Sequence, residues 1–226
     1  MDFKNRAQAV HDKLLMAFGQ PEWRNPLPPL DELVSTILSQ NTNDINRDRA
    51  FQALRQRFPT WEAVRDADEQ AVIDAIRPAG LGNQKGPRIQ NVLREITYQR
   101  GELSLDFLST MPDSEALEWL MSFKGVGPKT ASIVLLFSLG KPAFPVDTHI
   151  YRVSGRLGLR PKNMSADQAH VHLGNLFPPE SYYAAHLNLI RLGREVCQAR
   201  RPNCPACPLQ ELCEYFSITH LEGNAQ

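Results

Sequence analysis

The sequence lacks an excess of either charge and lacks long apolar runs. Its 226 residues carry 25 Lys and Arg against 25 Asp and Glu, so the net charge is +0. Composition alone therefore does not indicate a nucleic-acid binder, and any basic surface must be local. No apolar run reaches the roughly 18 residues that a membrane-spanning helix needs. The polar segment 1–15 does not resemble a secretory signal, so we expect a cytoplasmic protein without a membrane partner.

Strand-like alternation of apolar and polar residues is missing as well. The dominant period is helical, as in the first segment, where Val10 and Leu14 fall on one face. Gly and Pro mark the ends of successive segments, and Ser165 with Gln168 has the spacing of a capping box. These patterns predict an all-α chain, with a seam between two helical blocks at residues 140–145. One large domain or two small ones fit the length.

Cysteine is scarce, and all four residues are clustered as Cys197-x6-Cys204-x2-Cys207-x5-Cys213. Four thiols within 17 residues, in a chain without a secretory pattern, indicate a metal rather than disulfides. Zinc sites more often pair two CxxC units, whereas this chain has one, and thiolates also hold [4Fe–4S] clusters. We predict an iron–sulfur cluster, with zinc or metal-free thiols as the alternatives.

Arginines flank this cysteine cluster, Arg194 and Arg201 among them. A loop held by a metal would fix such charges against a DNA backbone. The alternative is a solvated basic face.

The segment FKGVGPKTAS, residues 123–132, crowds two glycines and a proline against a lysine. A Walker A loop is excluded because Pro128 separates Gly127 from Lys129 and because a helical segment precedes. A helix–hairpin–helix fits better, since proline suits the first turn of a helix. The glycines allow positive φ and close approach, and the N–H groups of the new helix favour a phosphate. We predict DNA-backbone contacts from Gly125, Val126, Gly127 and Thr130, with a plain turn as the alternative.

Lys129 lies in the first turn of the helix that follows. The helix dipole and desolvation there lower the pKa of a lysine and make its amine a better nucleophile. Asp147 opens another helix 18 residues further on and is expected to return beside Lys129. The alternatives are an ordinary lysine and a plain N-cap aspartate.

Together, GVGPKT, VDTHIYRV and the four-cysteine spacing resemble the endonuclease III family, which are helix–hairpin–helix DNA glycosylases with an iron–sulfur cluster. The similarity runs over roughly residues 5–216. It implies a six-helix domain with the hairpin at residues 25–141 and a cluster domain made of residues 1–24 and 142–216. A flexible tail would follow at 217–226, and DNA would bind in the cleft between the domains.

The resemblance also implies a chemistry, that of a base excision repair glycosylase with AP lyase activity. Its substrate would be double-stranded DNA with a damaged base, an oxidised pyrimidine above all, or an abasic site. The base is flipped out of the duplex. Lys129 would attack the sugar C1′ and form a Schiff base, and β-elimination would cut the strand. Asp147 would activate Lys129 and stabilise the cationic sugar. We expect a nucleoid-associated monomer.

Further DNA contacts follow from the same resemblance. The loop LSQNTND, residues 38–44, would fill the gap left by the flipped base through Gln40 or Asn41. Leu81 would wedge against the unpaired partner base. Gly82 stands where the family often has a larger residue, which leaves the preferred lesion open. Gly86 and Pro87 predict the start of the next helix. Residues expected to lie near phosphates are His149 and Arg152.

Two alternatives remain at this stage. One is a mismatch glycosylase for thymine or uracil opposite guanine. The other is a non-catalytic iron–sulfur DNA-binding protein that uses its cluster as a redox sensor. The presence of both Lys129 and Asp147 argues against the second.

Overall fold

A computed structural model describes residues 2–23 and 25–221, with the backbone alone at residues 220 and 221. This part of the chain is helical throughout and contains no strand, which confirms the all-α class. Within it, no helix combines the length and the apolar character that crossing a membrane requires. The chain divides into a central unit, Pro26–Lys141, and a terminal unit made of the segments before and after it.

The helices follow one another with short connections, several of which are single 3-10 turns. The α-helices are α1 (Phe3–Phe18), α2 (Pro29–Leu38), α3 (Asp44–Arg57), α4 (Trp61–Asp66), α5 (Glu69–Ala75), α6 (Gly82–Arg100), α7 (Asp113–Met121), α8 (Pro128–Ile133), α9 (Thr148–Arg156), α10 (Ala166–Gly174), α11 (Tyr182–Glu195) and α12 (Glu214–Phe216).

The central unit is organised around α2, which packs against α3, α6 and α8. Most of its core side chains are aliphatic, and each fully buried one contributes about 1.5–3 kcal/mol. Helix α8 continues into a π-helical turn, Val134–Ser138, before the chain leaves the unit. Fully buried core residues include Leu33, Ile37, Leu54, Ile89, Leu93, Ile96 and Leu108.

The start of α6 differs from the prediction. The helix begins at Gly82 rather than at Gly86, and Pro87 lies inside it. Gly86 is required by packing instead, because a Cβ there would lie 2.8 Å from the Ile73 side chain of α5. A proline at this position removes one helical hydrogen bond, which a long helix with a buried face tolerates.

In the terminal unit, α11 packs against both α1 and α9. The Arg6 guanidinium of α1 donates to the carbonyl of Leu157 at 3.0 Å and to the Glu214 carboxylate at 3.0 Å. These bonds join the two ends of the chain. The capping box of Ser165 and Gln168 is present at the start of α10, as predicted.

The last described residues also depart from expectation. Ser217–Leu221 form a π-helical turn rather than a loose tail. The Ser217 hydroxyl donates to the Cys213 carbonyl at 3.2 Å, and the Thr219 hydroxyl donates to the Tyr215 carbonyl at 2.7 Å. The remainder of the predicted tail, residues 222–226, lies outside the described residues.

Candidate functional site

The hairpin between α7 and α8 has the predicted composition but uses its glycines differently. Gly125 has φ +88°, a conformation that favours glycine, whereas Gly127 is extended at φ −96°. The space where a Cβ on Gly127 would point is open, which leaves room for a close ligand. The Val126 N–H bonds to the Phe123 carbonyl at 3.0 Å and closes the turn. Pro128 occupies the first position of α8, as predicted.

Two side chains from elsewhere in the central unit hold this hairpin. Arg88 of α6 packs so closely on Gly125 that any Cβ there would collide with its guanidinium. Gln40 donates from Nε2 to the Gly125 carbonyl at 3.2 Å and accepts a hydrogen bond from Arg88. The loop after α2, the helix α6 and the hairpin are therefore joined through polar contacts.

Lys129 is the second residue of α8 and is half-buried. It therefore emerges directly beside the hairpin turn. Thr130 is 3% exposed and Val126 is 4% exposed. The fold thus withdraws both of these side chains from solvent, and a DNA contact at either position would have to use the backbone.

Asp147 is the N-cap of α9, where its Oδ1 accepts a hydrogen bond from the Ile150 N–H at 2.7 Å. The segment leading to it is held by two buried histidines that sequence reasoning left without a role. The Val146 N–H donates to His170 Nδ1 at 3.2 Å, and His186 Nδ1 donates to the Pro145 carbonyl at 3.0 Å. Asp147 is half-buried, and its second carboxylate oxygen is not needed for the cap.

Three non-glycine residues of the described chain have positive φ, and all three are predicted DNA contacts. They are Asn41 (φ +54°), Leu81 (φ +52°) and Arg201 (φ +52°). Asparagine tolerates this left-handed conformation, but a leucine is a genuine outlier. Leu81 is also 45% exposed. Backbone strain of this kind concentrates at functional sites.

Both apolar and polar residues line the groove next to Leu81. Its lining includes Gln70, Asp74, Arg77 and Asn83. Arg77 and Asp74 form an ion pair at 2.7 Å, and the contact with Arg77 keeps the pKa of Asp74 below its usual value. Hydrogen-bonding side chains therefore lie in the same groove as an exposed apolar side chain.

The arginines near the cysteines that are predicted to contact phosphates differ in their surroundings. Arg152 donates from Nε to the Cys197 carbonyl at 3.1 Å and from a terminal nitrogen to the Gly193 carbonyl at 2.8 Å. The same nitrogen lies 3.2 Å from His149 Nδ1. Arg152 is thus a structural brace of the cysteine loop, a role that sequence reasoning missed. Arg194 and Arg201 are exposed.

The four cysteines line one cavity. None forms a disulfide, and Cys204 and Cys213 are buried. The thiols surround the space without meeting at a point, since no group of three or more His, Cys, Asp or Glu side chains in the described chain converges closely enough to hold an ion.

Positive and hydrogen-bonding groups surround this cavity. Arg156 approaches Cys197 Sγ at 3.3 Å and also donates to the Gln198 carbonyl at 2.7 Å. The Phe216 N–H donates to Cys213 Sγ at 3.4 Å. Burial raises the pKa values of the thiols of Cys204, Cys207 and Cys213. Hydrogen bonds to sulfur and nearby positive charge suit thiolates that ligate iron, so the donor set fits the predicted cluster.

Comparison with known proteins agrees with this arrangement. The family described as HhH-GPD superfamily base excision DNA repair protein matches residues 34–179. A putative DNA glycosylase of Arabidopsis thaliana is 38% identical over 77% of the chain, which spans only 59% of that relative's length. Endonuclease III of Thermotoga maritima is 34% identical, with 83% of this chain and 84% of that protein covered.

The fold comparison extends over almost the whole chain. A trapped endonuclease III–DNA covalent intermediate superposes with a TM-score of 0.83 at 27% identity, covering 96% of this chain and 99% of the other. With the family pattern spanning the hairpin and Asp147, and with relatives of more than 30% identity, the chain belongs to the endonuclease III family within the HhH-GPD superfamily of base excision DNA repair proteins.

Proposed function

We propose that the protein is a bifunctional DNA glycosylase and AP lyase that acts on double-stranded DNA containing a damaged base or an abasic site. The observation that carries the proposal is the placement of Lys129, half-buried at the second position of α8 and directly after the hairpin turn. The overall similarity to a trapped covalent endonuclease III–DNA intermediate supports a reaction through a covalent bond to DNA.

The proposed reaction runs through a covalent bond to the sugar. The Lys129 amine attacks C1′, the C1′–N bond to the base breaks, and the base leaves with its electron pair and takes up a proton. The sugar then opens to a protonated Schiff base on Lys129. Loss of a proton from C2′ expels the 3′ phosphate and cuts the strand. Asp147 accepts the lysine proton and stabilises the positive charge of the sugar.

The two strained loops of the central unit are assigned to the duplex. Asn41 is exposed at the tip of the loop after α2, whereas the Gln40 side chain is bonded to the hairpin. We therefore assign gap filling to Asn41 and bracing to Gln40. Leu81 is assigned to the orphaned partner base, because an exposed leucine can replace the lost stacking.

The cysteine cavity is assigned to a [4Fe–4S] cluster held by Cys197, Cys204, Cys207 and Cys213. When bound, the cluster would supply four iron–thiolate anchors to the loop. Arg201 belongs to this loop, and its side chain is exposed. With the loop backbone anchored, this side chain would be held in position to contact DNA phosphates. Arg152 and Arg156 hold the same loop through its carbonyl groups.

Borohydride trapping tests the proposal. The protein is incubated with labelled duplexes that carry thymine glycol, a G·T mismatch or an abasic site, and the reaction is reduced. A covalent adduct on thymine glycol is expected for the wild type and absent for Lys129→Gln. Lys124→Gln, which changes an exposed lysine of the same hairpin, is the control and should retain the adduct.

Each other outcome has a definite meaning. Base release without an adduct on any duplex would contradict the lyase step and indicate a monofunctional glycosylase. If an adduct formed only with the G·T duplex, the substrate would be a mismatched base rather than an oxidised pyrimidine. Tight lesion binding without base release or adduct would contradict an enzymatic function and indicate a DNA-binding protein.

A further inference from the structure

Lys85 is buried to 1% exposure in the first half of α6, where a surface lysine would be ordinary. Its Nζ donates two hydrogen bonds, each of 2.8 Å, to the backbone carbonyls of Leu38 and Ala79. Both acceptors are neutral. A single ammonium group therefore joins two chain segments that are far apart in the sequence.

Those two carbonyls stand at the bases of the two strained loops. Leu38 is the last residue of α2, three residues before Asn41. Ala79 ends a 3-10 turn, two residues before Leu81. The hydrogen bonds of Lys85 therefore fix the distance between the origins of both loops, while their exposed tips remain in the left-handed conformation.

Arg88 continues this arrangement one helical turn further along α6. Its guanidinium packs on Gly125 and donates to Gln40. Lys85 and Arg88 thus connect α6 with the loop after α2, the loop before α6 and the hairpin. All of these contacts lie within the central unit.

Keeping Lys85 charged in this buried position costs free energy, which the two hydrogen bonds offset. Burial lowers the pKa of Lys85, and the positive charge of Arg88 lowers it further. Both effects work against the ammonium form that makes the hydrogen bonds. Because buried charged groups contribute little to stability, a role in fixing one geometry explains this lysine better than stability does.

We propose that Lys85 is a positioning residue for base extrusion, which rests on the proposed glycosylase function. It sets the spacing between the loop at residues 39–43 and the loop at residues 80–82. With that spacing, Asn41 fills the gap while Leu81 separates the partner base at the same base pair. Lys85 touches neither DNA nor the reacting atoms.

The test compares Lys85→Met with the matched variant Lys141→Met. Lys141 lies in the same unit and also donates to a backbone carbonyl, that of Met111 at 2.7 Å, as well as to Asp113 at 2.7 Å. Neither partner belongs to a strained loop. Methionine is unbranched, so it can follow the path of the lysine stem without a hydrogen-bond donor.

Three quantities are measured for each variant: the melting temperature, the Kd for an undamaged duplex and for a tetrahydrofuran abasic analogue, and the fluorescence of 2-aminopurine opposite the lesion. Both variants are expected to melt earlier. Lys85→Met alone should lose about tenfold or more of its preference for the abasic analogue, since misplaced groups cost up to about a hundredfold. It should also lose the rise in 2-aminopurine fluorescence that accompanies unstacking of the partner base. Its affinity for undamaged DNA should stay within about twofold, a change of less than 1 kcal/mol.

Lys85→Gln, which restores a shorter donor, should recover part of the preference and keeps the proposal testable if the methionine variant does not fold. An unchanged preference and fluorescence in folded Lys85→Met or Lys85→Gln, or an equal loss in Lys141→Met, would overturn the positioning role. These binding readouts do not require catalysis. If the wild-type protein binds the abasic analogue with preference but never releases a base, the proposed function fails while the positioning role can still be judged.

Discussion

Gln40 donates a hydrogen bond from its side-chain amide to the backbone carbonyl of Gly125 at 3.2 Å. The adjacent residue, Asn41, is exposed and turns into the left-handed region at φ +54°. Two neighbouring amides thus have opposite surroundings, since one is bound to the protein and the other is presented to solvent. This difference is the reason why we propose Asn41, rather than Gln40, as the residue that fills the gap.

Substitution of Asn41 and of Gln40 in turn distinguishes gap filling from bracing of the hairpin. Asn41→Gly, which keeps the left-handed backbone without strain, should lower the rate of base excision by about tenfold, equivalent to about 1.4 kcal/mol of transition-state stabilisation. It should leave the melting temperature nearly unchanged. Gln40→Ala should instead lower the free energy of unfolding by about 1 kcal/mol, because it removes a hydrogen bond of the hairpin. Single-turnover excision and thermal unfolding of both variants measure this. The reverse pattern would move gap filling to Gln40.

Leu81→Gly should change stability and activity in opposite directions. Glycine relieves the left-handed strain of about 1–2 kcal/mol, although its greater freedom in the unfolded chain offsets part of that gain. The same change removes the wedge, so the affinity for lesion-containing DNA should fall by about tenfold or more. Urea unfolding and binding to an abasic duplex give the two numbers. Loss of stability together with unchanged binding would show that Leu81 is a packing residue.

Cys204→Ser should abolish the visible absorbance of the purified protein and reduce its DNA affinity. Serine is a poor iron ligand, and Cys204 lines the cavity from a buried position. Arg200→Ala, an exposed change in the same loop, is the control and should weaken DNA binding while iron and sulfide contents remain at about four each per chain. An unchanged spectrum for Cys204→Ser would exclude this cysteine as a ligand.

The stability of the central unit should depend on the protonation of Glu32. Burial raises the pKa of Glu32 above its ordinary value of 4.5, although a hydrogen bond from Thr36 and the charge of Arg47 oppose the shift. The folded protein therefore holds this proton more tightly than the unfolded chain, and ionisation destabilises the fold as pH rises through the folded pKa. Glu32→Gln should be more stable than the wild type at pH 8, and this advantage should vanish below the ordinary pKa.

Urea unfolding of both proteins between pH 4 and pH 8 measures the difference. A constant gap across this range would show that Glu32 does not titrate differently in the folded and unfolded states.

The sequence predicts the helical class, the capping box of α10, the hairpin composition and the clustering of cysteines, because each depends on short-range spacing. It does not predict the contacts of Lys85 and Arg88, because spacing along α6 does not say which carbonyl groups another segment will present. The sequence also does not predict the left-handed conformation of Leu81. Glycines flank it on both sides, and local preference places positive φ on a glycine.

The start of α6 illustrates a different limit. Gly86 and Pro87 together have the local signature of a helix beginning, yet the structure uses Gly86 for contact with Ile73 of α5. Tertiary packing therefore overrides a strong local signal. The same holds for Arg152, a candidate for phosphate that is instead bonded to the carbonyl of Cys197.

The contacts of Arg6 imply an order of assembly during synthesis on the ribosome. The central unit ends at Lys141 and can fold once that residue has emerged. Helix α1 must wait for much longer, since Arg6 binds Leu157 and Glu214, residues that are made 151 and 208 positions later. The first helix to be translated is thus among the last to pack. It can make all of these contacts only after the segment with the four cysteines has been synthesised.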